Sequence, residues 1–409
     1  MNDWLPSYWA EASGPQLLFA AAMVLAIAAL LGELVARATR LPRVVGYTAV
    51  GVMAAALGHG LPVPWPDGIG LIAEVALGLL LFEIGSRVDW RWLARNPALL
   101  VTSLTESALV CAGVAAALMA IGVDETVATA CAVIAIPGSA AVSSRVAYEL
   151  GAAGQVTRRM TVLTALNTLY AVLAAMLLMG WWAASAPSMA DALATLARSF
   201  FGSLLIAGML ATSVALARRL DLRNESTVLL LLGLVVSALA AARHFGLYVL
   251  LAPLLAGLLL RHATERAWVW PRQFGTAGGA LVLLLFVIVG ASWSPQALAA
   301  GGAGALVLIV VRSCAKSAAI LAFSPWSHAS MRQGVALSMA STPMSATTLV
   351  MLGTLAQAAP AVGEGAIPII VSGVALMELL GPIAVQWALR YAGELDAPEP
   401  GPVPPGEQP

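Results

Sequence analysis

The chain has 409 residues, of which 60% are hydrophobic and only 10% charged, and its mean hydropathy is +0.89. Soluble domains carry about 25% charged residues, so this composition excludes an ordinary soluble protein. The formal net charge is zero, which gives no reason to expect a nucleic-acid partner. The apolar runs have the length of membrane-crossing helices and lack the alternation of a β-barrel. We therefore predict an all-α polytopic membrane protein surrounded by lipid.

The apolar runs divide the chain into about thirteen predicted transmembrane spans. Their limits are 15–37, 43–58, 69–88, 98–121, 126–150, 158–183, 191–216, 227–243, 246–261, 276–291, 302–323, 331–355 and 365–390. Residues 1–14 then form an amino-terminal segment outside the membrane domain. Residues 391–409 form a tail whose proline and acidic residues predict disorder.

The basic residues give this topology an orientation. Sixteen of the 21 lie in loops on one side of the predicted membrane domain, whereas the opposite loops contain only Arg243. Because cytoplasmic loops are enriched in Lys and Arg, the amino terminus is predicted outside and the carboxyl terminus in the cytoplasm.

Two spans are interrupted near their centres by proline and small polar residues. The fifth contains Pro137, Gly138 and Ser139, and the twelfth contains Ser341, Thr342 and Pro343. Proline removes a backbone donor, and the groups it frees must be satisfied within the protein or along a wet cavity. Matched interruptions in two halves indicate a transporter site, and the odd offset of seven spans predicts an inverted repeat. Ordinary proline kinks are the alternative interpretation.

The single lysine of the chain, Lys316, lies inside the apolar run 303–322, four residues after Arg312 and on the same helix face. A desolvated lysine can release its proton, whereas arginine stays charged. Lys316 is therefore predicted to carry the proton in a proton-coupled transporter. The alternative is a structural role, either reaching the cytoplasmic interface or pairing with a glutamate. A glutamate within hydrogen-bond reach would make Lys316 a structural ion pair, whereas its absence would support a titrating amine.

Four segments carry a resemblance to a known family. They are Leu41–Tyr47 (LPRVVGY), Leu80–Gly85 (LLFEIG) followed by Asp89, Ser143–Gly151 (SSRVAYELG) and Leu285–Gly290 (LFVIVG). In order and spacing they resemble the monovalent cation:proton antiporters, the Kef-type and Nap-type branch of the sodium/proton exchanger superfamily. The resemblance covers residues 15–390.

That resemblance implies a transmembrane exchange domain over 15–390 and a homodimer in a bacterial-type inner (plasma) membrane. Each protomer would have a core, at about 98–183 and 276–355, in which the two broken helices cross. Na⁺ or K⁺ would exchange for H⁺, without a cofactor, a resident metal or enzyme chemistry.

The chain departs from the family at the expected ion site on the sixth span. Relatives carry Asn-Asp or Asp-Asp there, whereas this chain has Asn167 and Thr168. A threonine hydroxyl can coordinate a cation but does not exchange a proton near neutral pH. Glu106 and Glu378 lie nearest the centres of their spans, and either is a candidate for the missing carboxylate.

Two further functions stay open at this point. The missing aspartate motivates a transport-inactive homologue that acts as a sensor or partner subunit. An organic-solute carrier on the same fold is the other, since Thr168 and the neutral interruptions suit a less charged site. The fold alone does not choose among these functions.

Overall fold

The computed structural model describes residues 14–395 except 62, 64–65, 184–188, 220–223, 264–273 and 345. The predicted amino-terminal segment, apart from Gly14, and residues 396–409 of the predicted tail lie outside the described residues. Within the described ranges every regular element is helical, which confirms the all-α prediction.

Sixteen α-helices follow one another along the described residues. In chain order they are α1 (Gly14–Thr39), α2 (Arg43–Ala54), α3 (Asp67–Arg87), α4 (Trp90–Ala94), α5 (Pro97–Ala120), α6 (Glu125–Ile134), α7 (Ala140–Glu149), α8 (Gln155–Ala183), α9 (Met189–Arg219), α10 (Asn224–His244), α11 (Leu251–Ala263), α12 (Phe274–Ala291), α13 (Pro295–Phe323), α14 (Met331–Ala340), α15 (Ala346–Ala358) and α16 (Pro360–Ala392). A π-helical turn, Ala55–His59, prolongs α2.

These helices make thirteen spans, as predicted. Helix α4 has only five residues, and the pairs α6–α7 and α14–α15 each form one interrupted span. Among the helices described, eight are long and apolar enough to cross a membrane. The remaining spans are shorter or interrupted, so they rely on their neighbours for burial.

Three spans begin five or more residues from the predicted position, among them α16, which starts at Pro360 rather than at 365. Helix α13 starts at Pro295 rather than at 302, because the Ser294 hydroxyl caps the amide of Ala297 at 3.2 Å and proline suits the first helical position. Helix α11 starts at Leu251 rather than at 246, because Gly246 adopts a left-handed φ of +61° in the preceding turn.

Close glycine contacts define a first group of helices, here called the flanking bundle (α1–α3 and α10–α12). Gly290 of α12 lies against the backbone of α2, where an added Cβ would come within 3.2 Å of the Gly51 Cα. Gly85 of α3 meets α11 in the same way, 3.2 Å from the Gly257 Cα. A side chain at these positions would push backbone from backbone, so glycine sets how close these helices lie.

The remaining long helices form the crossing bundle (α5–α8 and α13–α16), with α9 packed between α8 and α11. Helix α13 lies between α5 and α16. A Cβ added to Gly113 of α5 would come within 3.2 Å of Val311 on α13, and one added to Gly304 of α13 would come within 3.1 Å of Ile369 on α16. The predicted core included α12 and omitted α16. The packing instead groups α12 with α2 and α16 with α13.

Candidate functional site

The two interruptions lie against each other inside the crossing bundle. The amide of Ser139 donates to the carbonyl of Pro343 at 3.0 Å, which joins the start of α7 to the break before α15. Ser139 also caps α7, since its hydroxyl accepts from the amide of Val142 at 3.1 Å. Proline and serine therefore end one half-helix and begin the next, and the predicted crossing of the broken helices is confirmed.

Arg312 of α13 holds both interruptions together. Its guanidinium, 1% exposed, donates to the carbonyls of Ala135 at 2.6 Å, Pro137 at 2.8 Å and Pro343 at 3.3 Å. It also donates to the carbonyl of Thr342. These carbonyls follow the ends of α6 and α14, where unpaired carbonyls and the helix dipole concentrate negative charge. One fixed cation thus neutralises and positions both half-helix ends.

Lys316 lies one helical turn after Arg312 on α13, and its side chain contacts a different partner. Its ammonium forms an ion pair with Oε1 of Glu106 on α5, and both side chains are fully buried. The amide nitrogen of Asn167 on α8 donates to the same oxygen at 2.8 Å. The structure therefore unites three residues proposed from the sequence. It also supplies a glutamate within hydrogen-bond reach of Lys316, which is the outcome that the sequence-based criterion assigns to a structural ion pair.

Two serines of α5, not anticipated from the sequence, fix the orientation of Asn167. The hydroxyls of Ser103 and Ser107 donate to Asn167 Oδ1 at 2.7 and 3.2 Å. Ser103, Glu106 and Ser107 follow the spacing of one helix face, and this polar stripe in an apolar span was the available signal. Among the residues described, Glu106 Oε2 has no hydrogen-bond partner.

Thr168, where the resemblance predicts an aspartate, is buried beside this cluster. Its hydroxyl donates to the carbonyl of Thr164, one turn earlier, at 2.7 Å. The Thr164 hydroxyl in turn faces Gly138, where an added Cβ would lie 3.3 Å away. Glycine at the first interruption therefore lets α8 approach the crossing.

The other predicted site residues lie along the second interruption. Ser341 is buried, and its hydroxyl has no hydrogen-bond partner among the described residues. The Thr342 hydroxyl donates to the carbonyl of Ser338 at 3.0 Å. Glu378 is buried on α16, three residues before Gly381, where a Cβ would come within 2.9 Å of Pro343. Glu378 thus belongs to a helix that borders the second break.

A cavity of about 450 Å³ opens between the bundles, at the end opposite the arginine-rich loops. Its lining includes Arg198, Tyr248 and Thr354, together with Glu74 and Arg243. Glu74 and Arg243 form two parallel hydrogen bonds of 2.8 and 2.9 Å. The boundary between the bundles is therefore open at this end.

At the arginine-rich end the same boundary is bridged by polar contacts. The Glu149 carboxylate accepts from the amide of Arg43 at 2.9 Å. Gln386 Nε2 donates to the carbonyl of Arg40 at 2.6 Å. Arg158 of α8 pairs at 3.6 Å with Asp89. The bundles therefore touch at one end and are separated by a cavity at the other.

A buried ionic cluster beside two crossing interrupted helices defines the class of protein, a secondary transporter. The family model for the transmembrane sodium/hydrogen exchanger matches residues 23–391. The chain belongs to the sodium/hydrogen exchanger family, whose members exchange cations for protons.

Two solved structures show the same fold, both of the sodium proton antiporter MjNhaP1 from Methanocaldococcus jannaschii. The structure at pH 8 has a TM-score of 0.64 and 15% identity, covering 93% of this chain and 100% of the other. The electron-microscopy structure has a TM-score of 0.72 and 15% identity, covering 92% and 97%. No curated protein sequence matches the chain significantly. The predicted antiporter fold is confirmed.

Proposed function

We propose that this protein exchanges Na⁺ for H⁺ by moving its crossing bundle against its flanking bundle. The observation that carries the proposal is the fully buried pair of Lys316 and Glu106, joined to Asn167 beside the crossing. Ionised groups inside a membrane are costly and mark ion pathways and proton relays.

Lys316 is the proton carrier in this proposal. Arg312 is held by carbonyls of both interruptions and keeps its charge. Lys316 faces a single carboxylate and can alternate between ammonium and amine. A role for Lys316 in structure and a role in transport are compatible, because the ion pair exists only while the site holds the proton.

The cavity and the opposing contacts support alternating access. The cavity gives the boundary between the bundles an opening on one side, and the contacts of Glu149, Gln386 and Arg158 close it on the other. With the amino terminus outside, as the arginine distribution predicts, the cavity faces outward and the contacts face the cytoplasm. We further propose a homodimer in a bacterial-type plasma membrane.

Proteoliposomes containing a pH-sensitive dye test the exchange. After a proton gradient is formed, addition of Na⁺ should collapse it, and parallel additions of K⁺ show whether K⁺ is also a substrate. Liposomes without protein measure the passive leak of protons across the membrane. If neither cation collapses the proton gradient between about pH 6 and pH 9, exchange is rejected and the transport-inactive homologue is favoured.

A variant of the lysine then tests the carrier. Lys316→Ala should abolish proton-coupled exchange, because the buried site loses its titratable cation. Arg87→Ala, which removes a half-exposed partner of Glu83 in the flanking bundle, is the control. Normal coupled exchange by Lys316→Ala would reject the carrier role.

A further inference from the structure

We propose that Glu106 on α5 is the carboxylate ligand of the transported cation, in place of an acidic residue at position 168 on α8. The inference rests on the proposed exchange and names the group for which cation and ammonium compete. It relocates the binding carboxylate to a different helix of the crossing bundle.

The two oxygens of Glu106 have different surroundings. Oε1 receives both Lys316 and the Asn167 amide, whereas Oε2 has no hydrogen-bond partner in the part of the chain described. A fully buried carboxylate oxygen without a donor is costly. A hard cation prefers such an oxygen, so Oε2 is the atom at which Na⁺ would bind.

Asn167 positions this carboxylate. Its Oδ1 accepts from Ser103 and Ser107, so the amide turns its N–H group toward Glu106. The oxygen that the amide would offer to a cation is thus already occupied by two donors. Asn167 and the two serines are positioning residues, and Glu106 carries the negative charge.

Charge balance links the cation to the proton. The Glu106 carboxylate and the Lys316 ammonium sum to zero in a site that excludes water. A cation bound at Oε2 adds one positive charge, which the buried site cannot hold at low cost. An N–H bond of the ammonium then breaks, its electron pair stays on nitrogen, and the proton passes to water on the side to which the site opens during the transport cycle. The site is neutral in both states, with one cation gained for one proton lost.

A single variant and a double variant that exchanges the acid and the amide test the inference while keeping the size of both side chains. Glu106→Gln should lower exchange about ten- to a hundredfold, as expected for loss of a charged ligand, and should abolish the rise in melting temperature that Na⁺ produces. Because the two side chains hydrogen-bond at 2.8 Å, the double variant Glu106→Gln/Asn167→Asp returns one carboxylate to the cluster. It should regain both exchange and stabilisation by Na⁺.

Two comparisons separate ligand loss from misfolding. Glu83→Gln makes the same chemical change in a glutamate paired with Arg87 on α3, and it should exchange like the wild type. If Glu106→Gln does not fold, the neutral double variant Glu106→Gln/Lys316→Met removes the unpaired charge. It should fold without any stabilisation by Na⁺.

The outcomes distinguish this inference from the proposed function. A wild type that does not exchange cations rejects the function itself. A wild type that exchanges, with Glu106→Gln equally active or the neutral double variant still stabilised by Na⁺, overturns the role of Glu106. A folded acid–amide swap that regains neither property also overturns it.

Discussion

The carboxylate of Glu149 accepts a hydrogen bond of 2.9 Å from the backbone amide of Arg43. Arg43 is the first residue of α2, and its N-cap, Pro42, makes no side-chain cap. The first four amides of a helix need partners from outside it. The crossing bundle therefore caps a helix of the flanking bundle, and this contact must break whenever the bundles separate at the arginine-rich end.

Loss of this cap should shift the protein away from the state seen here. An N-cap contributes about 1 kcal/mol, so Glu149→Ala should change the balance between open and closed ends about fivefold. A cysteine introduced at Thr354, which lines the cavity, reports the shift. In a background without the native cysteines, its labelling by an impermeant maleimide added on the cavity side should slow by up to about fivefold.

A matched variant within one bundle controls this experiment. Glu33 pairs with Arg37 at 2.7 Å and with Arg43 at 2.8 Å, so Glu33→Gln breaks ion pairs at the same end without touching the crossing bundle. Its labelling should equal that of the parent protein. Equal slowing by both variants would show that the Glu149 contact does not govern access.

The Asp89 contact should hold across the physiological pH range. Burial raises the pKa of Asp89, but hydrogen bonds from the amides of Trp92 and Arg91 and the charges of Arg261 and Arg158 outweigh it and leave that pKa below its ordinary value. A lowered carboxyl pKa contributes stability that is complete above the ordinary value of about 3.9 and is lost only at lower pH.

The pH dependence of labelling measures this directly. Asp89→Asn should change the labelling rate at position 354 by the same factor at about pH 6 and about pH 8, and comparison with the parent cancels the ionisation of the thiol itself. A factor that shrinks toward one at the lower pH would mean that Asp89 is already protonated there.

Arg312 should be needed for the fold of the crossing. Arg312→Ala leaves carbonyls of both interruptions without their donor, and each buried group left unpaired costs about 1–3 kcal/mol. The variant should lose its monodisperse profile or melt well below the wild type. Arg312→Lys should recover only part of the stability, because an ammonium lacks the planar fork that reaches several carbonyls. A wild-type melting temperature for Arg312→Ala would contradict this role.

The sequence predicted features that local chemistry determines and missed those set by packing. Pro137 and Pro343 lie among small polar residues near the centres of their spans, so both interruptions followed from the chain alone. Proline by itself is not a sufficient signal, because Pro368 and Pro382 lie inside the continuous helix α16.

The pairing of Lys316 with Glu106 did not follow from the chain alone. The two residues are 210 positions apart, and their contact depends on how α5 is rotated where it packs against α13. The first turns of α13 were also missed, because the glycines around Gly301 are poor helix formers in sequence. In the structure, close packing of Gly301 against the Pro368 backbone favours glycine there.

The glycine contact between α2 and α12 should be intolerant of a methyl group. Gly290→Ala would press a Cβ into the Thr48 carbonyl and toward the Gly51 Cα, so it should lower the melting temperature. Gly233→Ala on α10, with no atom within 4 Å of its added Cβ, should raise stability slightly because alanine favours the helix by about 1 kcal/mol. Equal effects of the two variants would show that backbone proximity is not limiting.

Exchange should be insensitive to membrane potential if the site stays neutral in both states. One Na⁺ bound at Glu106 for one proton lost from Lys316 moves no net charge, whereas a cycle that moves one charge changes by about 2.3 kcal/mol per 100 mV. That energy would displace the equilibrium cation ratio roughly fiftyfold. In proteoliposomes whose potential is clamped with K⁺ and valinomycin, the Na⁺ distribution at a fixed pH gradient should therefore not change. A displacement of the Na⁺ distribution near fiftyfold would mean that a second titratable group takes part in the cycle. Glu378, beside the second interruption, would then be the first residue to mutate.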